Sequence, residues 1–231
     1  FRTGPPRWVP LSVQAVTESG CFGKVPAHGD FVWQGLPAKF VTPWDNWLQE
    51  QLLNLQERRP EDWLDFYLCG PIWRFVIRDE SLGHATWGGI ISPSVDIVGR
   101  YFPFTIAYAL PHLAPIVSTT RKLSPWQAHA EEVMLAALTD TLSVDDILAR
   151  VRTFEQVEVG EKAPQDKTQP SLTGWGGQVA EGGSWAEQLL EELVCNSFEY
   201  PCYWSRIDAD SGETIYQVTE GFRGFEHLFT V

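Results

Sequence analysis

The chain has 231 residues, of which 44% are hydrophobic and 20% are charged. These values fit one globular domain of somewhat more than average size, and they exclude a disordered or fibrous protein. The formal net charge of -13 argues against nucleic acid and against insertion into or binding to an anionic membrane, because phosphates would repel the chain, whereas a basic partner would be attracted.

The first part of the chain is irregular and rich in glycine and proline. Residues 1–17 predict a poorly ordered tail, or the remnant of a tag, because the chain begins at Phe1 and its first ten residues are rich in proline. From Cys21 to Trp47, closely spaced glycines and prolines predict a conformationally constrained segment in which a strand and a loop lead into a helix. Thr42 followed by Pro43 has the pattern of an N-cap, and apolar residues then recur at helical spacing as far as Arg59. We therefore expect a helix from about Pro43 to Arg59.

The next part alternates between the helical and the strand pattern. An acidic start and a Gly-Pro stop indicate a short helix, and β-branched and aromatic runs indicate strands. Serine-headed capping patterns then predict two more helices. In chain order these elements are a helix at Glu61–Leu68, strands at Ile72–Ile77, Ala85–Ile91 and Thr105–Leu110, and helices that open at Ser124-Pro125 and at Ser143-x-x-Asp146.

The last third begins with a polar, glycine-rich stretch, residues 155–183, for which we expect a mobile loop within the domain. A capping box then opens a helix, a hairpin with an aspartate-rich turn follows, and the chain closes with a short helix or turn. These elements are the helix Trp185–Val194, the strands Glu199–Ile207 and Thr214–Val218, and the segment Gly221–Val231.

The element order favours an α/β fold in a single domain over residues 1–231. We expect a three-layer α/β/α sandwich in which helices flank a mainly antiparallel, mixed central sheet. The same elements would also permit an α+β domain with all helices on one face of the sheet.

The sequence contains no assembled motif for catalysis or metal binding. His28 and Asp30 flank Gly29 and could act as a base with its orienting carboxylate, or as two ligands, but no third ligand lies at a telling spacing. The alternative is that Asp30 caps backbone N–H groups of its turn and that His28 is exposed. No serine or cysteine lies in a nucleophile elbow, and the Gly-Lys pair at Lys24 lacks the rest of a phosphate loop. We therefore predict no catalytic residue, no metal and no cofactor.

The four cysteines have no spacing typical of a zinc site or of an extracellular disulfide framework. They are Cys21, Cys69, Cys195 and Cys202. We therefore expect four reduced thiols in a reducing, cytoplasmic compartment. The 11 tryptophans are expected to be mainly packing residues, since the indole ring is a large apolar group with one donor.

A second charged pair occurs in a loop bounded by proline and glycine. Asp96 and Arg100 are expected to form an ion pair that orders the entry to Tyr101, or Arg100 could hold an acidic group of a partner. The constrained loops Gly20–Pro37 and Pro93–Phe104 are the predicted contact surface. The predicted partner-binding residues are Lys24, His28, Asp30, Asp96, Arg100 and Tyr101, with Lys24 and Arg100 as exposed cations.

Short motifs of glycine, proline and aromatic residues recur along the chain. They are Gly23-Lys24-Val25-Pro26, Gly29-Asp30-Phe31-Val32, Gly35-Leu36-Pro37, Phe40-Val41, Pro43-Trp44-Asp45-x-Trp47-Leu48, Trp63-Leu64, Tyr67-Leu68, Pro71-x-Trp73-Arg74-Phe75, Gly88-Gly89, Ile91-x-Pro93-Ser94-x-Asp96, Gly99-Arg100-Tyr101-Phe102-Pro103-Phe104 and, more weakly, Tyr203-Trp204-Ser205. These motifs resemble the TagF/ImpM family of bacterial type VI secretion. The resemblance covers nearly the whole chain, is specific in the first half, and is diffuse between about Leu142 and Ser197.

The resemblance implies the same sandwich fold and a non-enzymatic cytoplasmic regulator. Such a regulator restrains assembly of the secretion machine after translation, through protein contacts with its forkhead-associated scaffold. Two alternatives come from the residues alone: a hydrolase-like enzyme with a dispersed active site, and a carbohydrate-binding module that uses exposed tryptophans.

Overall fold

The computed structural model describes residues 19–112, 114–139, 142–153, 184–225 and 228–229, without the side chain of Trp185. The tail predicted at residues 1–17 and the mobile loop predicted at residues 155–183 lie outside this part of the chain.

In the part of the chain that the structure describes, the centre is one seven-stranded sheet with the order β2-β1-β5-β4-β3-β6-β7. Every pair of described strands is antiparallel, which confirms the mainly antiparallel sheet; none of these pairs is the parallel one that a mixed sheet would contain. The strands are β1 (Gly20–Gly23), β2 (Val32–Gln34), β3 (Trp73–Arg78), β4 (Thr86–Ser92), β5 (Phe104–Leu110), β6 (Pro201–Ile207) and β7 (Thr214–Glu220).

Five helices accompany the sheet within the described ranges, and two of them begin earlier than predicted. They are α1 (Ala38–Arg58), α2 (Trp63–Leu68), α3 (Ile116–Thr139), α4 (Val144–Arg152) and α5 (Trp185–Ser197). Pro43 and Pro125 lie inside α1 and α3, whereas the serine and threonine before them predicted helix starts. A proline inside a helix removes one backbone hydrogen bond. Both helices continue through it because residues on both sides of the proline are buried against the sheet.

The other two capping predictions are confirmed. The Ser143 hydroxyl accepts a hydrogen bond from the N–H of Asp146 at 3.1 Å, and the Ser184 hydroxyl accepts one from the N–H of Glu187 at 3.3 Å. The predicted closing turn is present as a short 3-10 helix, Phe222–Gly224.

The two faces of the sheet are covered by different helices. In β3, Phe75 and Ile77 pack with α1 on one face, while Val76 packs with α3 and α4 on the other, as the alternation of side chains along a strand requires. The α1 face is dominated by aromatic rings, among them Trp44, Trp47 and Trp204. This arrangement confirms the three-layer α/β/α sandwich and rules out the alternative with all helices on one face.

Candidate protein-binding site

Two loops meet beyond the ends of two neighbouring strands, β1 and β5. Residues 24–31 connect β1 to β2, residues 93–103 connect β4 to β5, and Gly23 is paired with Phe104. A Cβ on Gly23 would lie 2.0 Å from the carbonyl oxygen of Pro103, so only glycine permits this close approach. We call the two loops together the loop junction.

The carboxylate of Asp96 organises the second loop from within. It is 3% exposed, and its Oδ1 accepts hydrogen bonds from the N–H groups of Val98 at 3.1 Å and Arg100 at 2.8 Å. Its Oδ2 accepts a hydrogen bond from Arg100 Nε at 2.7 Å, so the predicted ion pair of Asp96 and Arg100 is confirmed. The five-residue turn also needs Gly99, whose φ is +83°.

Lys24 supplies the second cation of Asp96 and is not an exposed residue. Its ammonium group donates to Asp96 Oδ2, and the lysine is 4% exposed, so the expectation of an exposed cation at this position is wrong. A buried carboxylate requires such pairing, since an isolated charge is costly away from water. Burial by itself would raise the pKa of Asp96, yet the hydrogen bonds from Lys24 and from Arg100 hold that pKa well below its usual range.

Hydrogen bonds also join the two loops directly. The N–H of Ile97 donates to the carbonyl oxygen of His28 at 3.1 Å, and Arg100 Nη2 donates to the carbonyl oxygen of Gly29. The structure therefore brings the loop residues chosen from the sequence into one cluster.

The side chains of His28 and Asp30 differ from their predicted environments. Asp30 is fully exposed, and its Oδ1 lies 3.8 Å from Arg100 Nη2. It therefore forms only a weak, solvent-exposed ion pair with Arg100 and does not cap the backbone of its turn. His28 is partly buried and not exposed, and its Nε2 has no hydrogen-bond partner. The sequence could not decide either point, because both depend on the position of the other loop.

Tyr101 lies at the base of the junction and connects it to α2. Its ring packs edge-on against Trp63 and Tyr67, with centroids 6.0 and 5.9 Å apart. The Tyr67 hydroxyl donates to the carbonyl oxygen of Ser94 at 2.7 Å and accepts from the N–H of Ser94 at 2.9 Å. Burial raises the pKa of Tyr67, so it stays a neutral anchor. The sequence alone does not identify Tyr67 as a residue that fixes the second loop.

The outer surface of the loop junction carries large apolar side chains. Phe31 is 50% exposed, and Ile97 and Val98 are each 67% exposed; we call these three residues the exposed apolar set. Phe31 is held in place by Phe102, whose ring centroid lies 4.8 Å away, and by the Lys24 ammonium at 4.7 Å from its ring. Arg100 and Asp30 lie beside the set, so the surface combines apolar groups with charges at their rim.

The described residues offer little for catalysis. Burial raises the pKa of the Cys21 thiol to about 12 and raises that of Cys202 well above its usual value, so neither is an activated nucleophile. All four cysteines are free thiols, as expected. Within the described ranges, no cluster of three or more histidine, cysteine or acidic residues has the arrangement of a metal site, and no helix there is long and apolar enough to cross a membrane.

A hydrolase-like enzyme would need a pocket with catalytic groups, and a carbohydrate-binding module would need exposed tryptophans; the described residues provide little of either. A groove of about 630 Å³ lies at the start of α1, lined by residues that include Lys39, Ser81 and His84. The Ser81 hydroxyl donates to Asp79 Oδ1 at 2.6 Å, and the same oxygen accepts from the Ser81 N–H at 2.9 Å, so this pair caps a local turn. Among the tryptophans with described side chains, Trp33 is the one classed as exposed, and its Nε1 donates to the carbonyl oxygen of Leu36 at 2.7 Å. Among the described side chains, this one indole on an edge strand does not form a flat platform for a sugar.

The fold and the loop junction define an α/β protein that presents a structured loop surface. The family model described as "TagF N-terminal domain, Type VI secretion system-associated" matches residues 20–154, more than half of the chain, so the chain belongs to this family. It is also similar in structure to PA0076 from Pseudomonas aeruginosa PAO1, known from a crystal structure at 2.05 Å resolution. The TM-score is 0.75 at 28% sequence identity, over 92% of this chain and 94% of that one. No curated protein matches the chain.

Proposed function

We propose that this chain is a non-enzymatic, cytoplasmic accessory protein that restrains assembly of a type VI secretion machine after translation. It does so by binding the machine's forkhead-associated scaffold through the loop junction. Membership of a family associated with type VI secretion supports the cellular role. The observation that carries the binding site is the exposed apolar set on two loops that are fixed to each other.

Rigid loops favour binding because little conformational entropy is lost when they meet a partner. Here the buried pair of Lys24 and Asp96 and the bonds between the loops fix the backbone before any partner arrives. Ile97 and Val98 would then lose their exposed apolar surface to the partner, which is a favourable term of about 25 cal/mol per Å².

Arg100 adds selectivity to this surface. It is the exposed cation of the junction, with a side chain 55% exposed, on a protein whose net charge is -13. Its guanidinium group can pair with a carboxylate or phosphate on the partner in a planar, bidentate manner. The proposed partner surface is therefore apolar at its centre and carries at least one anionic group at its edge.

The test uses Ile97→Asp and Val98→Asp, which change exposed side chains and leave the Asp96 cluster intact. The matched control is Leu53→Asp on α1, because Leu53 is also an exposed aliphatic residue, at 54%. Lys24→Ala is not a suitable probe, since it leaves a buried carboxylate without its partner and would be expected to impair folding.

The assays are thermal unfolding, pull-down of the scaffold, and secretion activity in cells. Both loop variants are expected to unfold like the unaltered protein, to lose the scaffold, and to release secretion from restraint, while Leu53→Asp retains all three properties. Folded loop variants that still bind the scaffold and still restrain secretion would contradict the proposed site.

A further inference from the structure

The two edges of the sheet are protected very differently. The edge strand β2 has three residues, whereas the opposite edge strand β7 has seven, Thr-Ile-Tyr-Gln-Val-Thr-Glu. Proteins usually blunt a long edge with lysine, proline, a bulge or a covering segment, because its unpaired N–H and C=O groups attract other strands. Strand β7 contains no lysine or proline and pairs with β6 without a bulge.

The hydrogen bonds at the two ends of the β6–β7 pair show which groups face outward. The N–H of Asp208 donates to the carbonyl oxygen of Glu213 at 2.8 Å, and the N–H of Gly221 donates to that of Tyr200 at 2.7 Å. Odd-numbered residues of β7 therefore bond to β6, since the pattern alternates along an antiparallel pair. The backbone groups of Thr214, Tyr216 and Val218 point outward, and in the described part of the chain no strand lies on that side.

Apolar side chains accompany these open backbone groups. Tyr216 is 68% exposed and stacks on Tyr203 at 6.1 Å, while Ile215 and the neighbouring Ile207 are 40% and 51% exposed. An added strand would therefore gain side-chain contacts as well as backbone hydrogen bonds, as in strand addition by peptide ligands.

Acidic residues lie at both ends of β7. Asp210 and Glu213 are exposed at its start, and Glu199 and Glu220 are exposed at its end. Acidic groups near the C-terminal end of β7 raise the pKa of the Tyr200 phenol, and Glu199 is the largest cause. The centre of the strand, from Thr214 to Thr219, carries no charge.

This charge pattern decides between possible occupants. Two copies of β7 paired in either direction would place acidic ends against acidic ends, and each copy would bring a net charge of -13. Like charges opposite each other destabilise a strand pair. A strand with an uncharged centre and basic ends would instead pair favourably along the whole edge.

We propose that β7 receives an extended segment of a partner protein as an eighth strand of the sheet. The segment has an uncharged, β-branched centre and lysine or arginine residues at both ends. This site is separate from the loop junction and does not depend on the proposed function.

The test uses the full chain and a synthetic peptide with two lysines at each end of the core Thr-Val-Thr-Val-Thr. Hydrogen exchange is followed residue by residue by NMR, with and without peptide. The amides of Tyr216 and Val218 are expected to exchange quickly in the free protein, in contrast to that of Gln217, and to become protected when the peptide binds. A peptide with glutamates in place of the lysines is expected to bind at least tenfold more weakly.

Three variants separate the contribution of the β7 backbone from that of the acidic residues at its start. Tyr216→Pro removes an outward N–H and keeps the bonds to β6, so it should abolish peptide binding, whereas Tyr216→Ala should retain it. The double change Asp210→Lys with Glu213→Lys leaves the strand unchanged and should weaken binding at least tenfold.

Three results would overturn the proposal. One is the absence of binding at millimolar peptide, and another is equal binding of the glutamate peptide. The third is protection of Tyr216 and Val218 already in the free protein, whether by another part of the chain or in a dimer that Tyr216→Pro dissociates.

Discussion

Two tryptophans of α1 allow a sharp test of how the aromatic core is stabilised. Trp44 and Trp47 are 0% and 1% exposed, and their rings are 4.9 Å apart. The Nε1 of Trp44 donates to the Thr105 hydroxyl at 3.0 Å, whereas the Nε1 of Trp47 has no partner. The rings have the same volume and burial, but only one indole N–H is satisfied.

Replacement of each tryptophan by phenylalanine should therefore have different costs. The volume lost is the same, so the cavity terms largely cancel when the two variants are compared. Trp44→Phe loses a hydrogen bond worth about 1 kcal/mol, whereas Trp47→Phe removes an unpaired buried donor whose desolvation costs about 1 to 3 kcal/mol. We expect Trp44→Phe to be the less stable variant by about 2 to 4 kcal/mol, which is roughly 4 to 16 °C in melting temperature for a chain of this size.

The free energy of unfolding can be measured by denaturant titration with far-ultraviolet circular dichroism, which does not depend on tryptophan fluorescence. Thr105→Val provides the control, since it should lower the stability of the unaltered protein and have little effect in the Trp44→Phe background. Equal stability of the two phenylalanine variants, or a lower stability of Trp47→Phe, would refute the reasoning. For truncation of either residue to alanine we expect a loss of about 3 to 5 kcal/mol.

Four further predictions concern other parts of the molecule. Asp96 has a lowered pKa in the folded state, so its contribution to stability is present above the unfolded pKa of about 3.9 and is lost as pH falls further; the stability difference between Asp96→Asn and the unaltered protein should shrink below about pH 4 in denaturant titrations. The Glu191 carboxylate accepts from the first two N–H groups of α3 at 3.0 and 2.7 Å, so Glu191→Ala should cost about 1 to 2 kcal/mol by the same titration, and a loss near zero would contradict this capping role. A Cβ at Gly89 would lie 2.6 Å from the carbonyl oxygen of Ile106, so Gly89→Ala should lower the melting temperature strongly, whereas Gly29→Ala, with its nearest contact at 3.6 Å, should have little effect. Elemental analysis of the purified protein is expected to find no stoichiometric metal; one metal per chain, lost in the double variant His28→Ala with Asp30→Ala, would disprove this.

The choice of residues for the candidate site could be made from the sequence because the signals are local. Gly99 and the Asp96–Arg100 spacing predict a constrained turn with an internal ion pair, and this pair is present. The exposure of each residue could not be predicted in this way. The sequence predicts an exposed cation at Lys24 because lysine is rarely buried. In the structure Lys24 is buried, because the other loop places the Asp96 carboxylate against its ammonium group.

Helix starts show the same division between local and distant causes. Ser143 and Ser184 cap their helices as predicted, since capping depends on atoms within one turn. Thr42 and Ser124 precede prolines in an equally suggestive pattern, yet α1 and α3 extend several residues before them. Burial of Phe40 and Leu123 on the N-terminal side of each proline stabilises those turns and offsets the missing hydrogen bond.

The sequence by itself determined the kinds of elements, most of their order and the family, because hydrophobic periodicity, capping residues and short motifs are properties of neighbouring residues. Only the tertiary structure decided the order of the strands in the sheet, which of the two permitted layer arrangements is adopted, and which of the described strands remain as edges. These features depend on pairings between residues far apart in the chain, such as Gly23 with Phe104 and Ile77 with Cys202. No local pattern specifies such pairings, since any strand with a compatible face could occupy the same place.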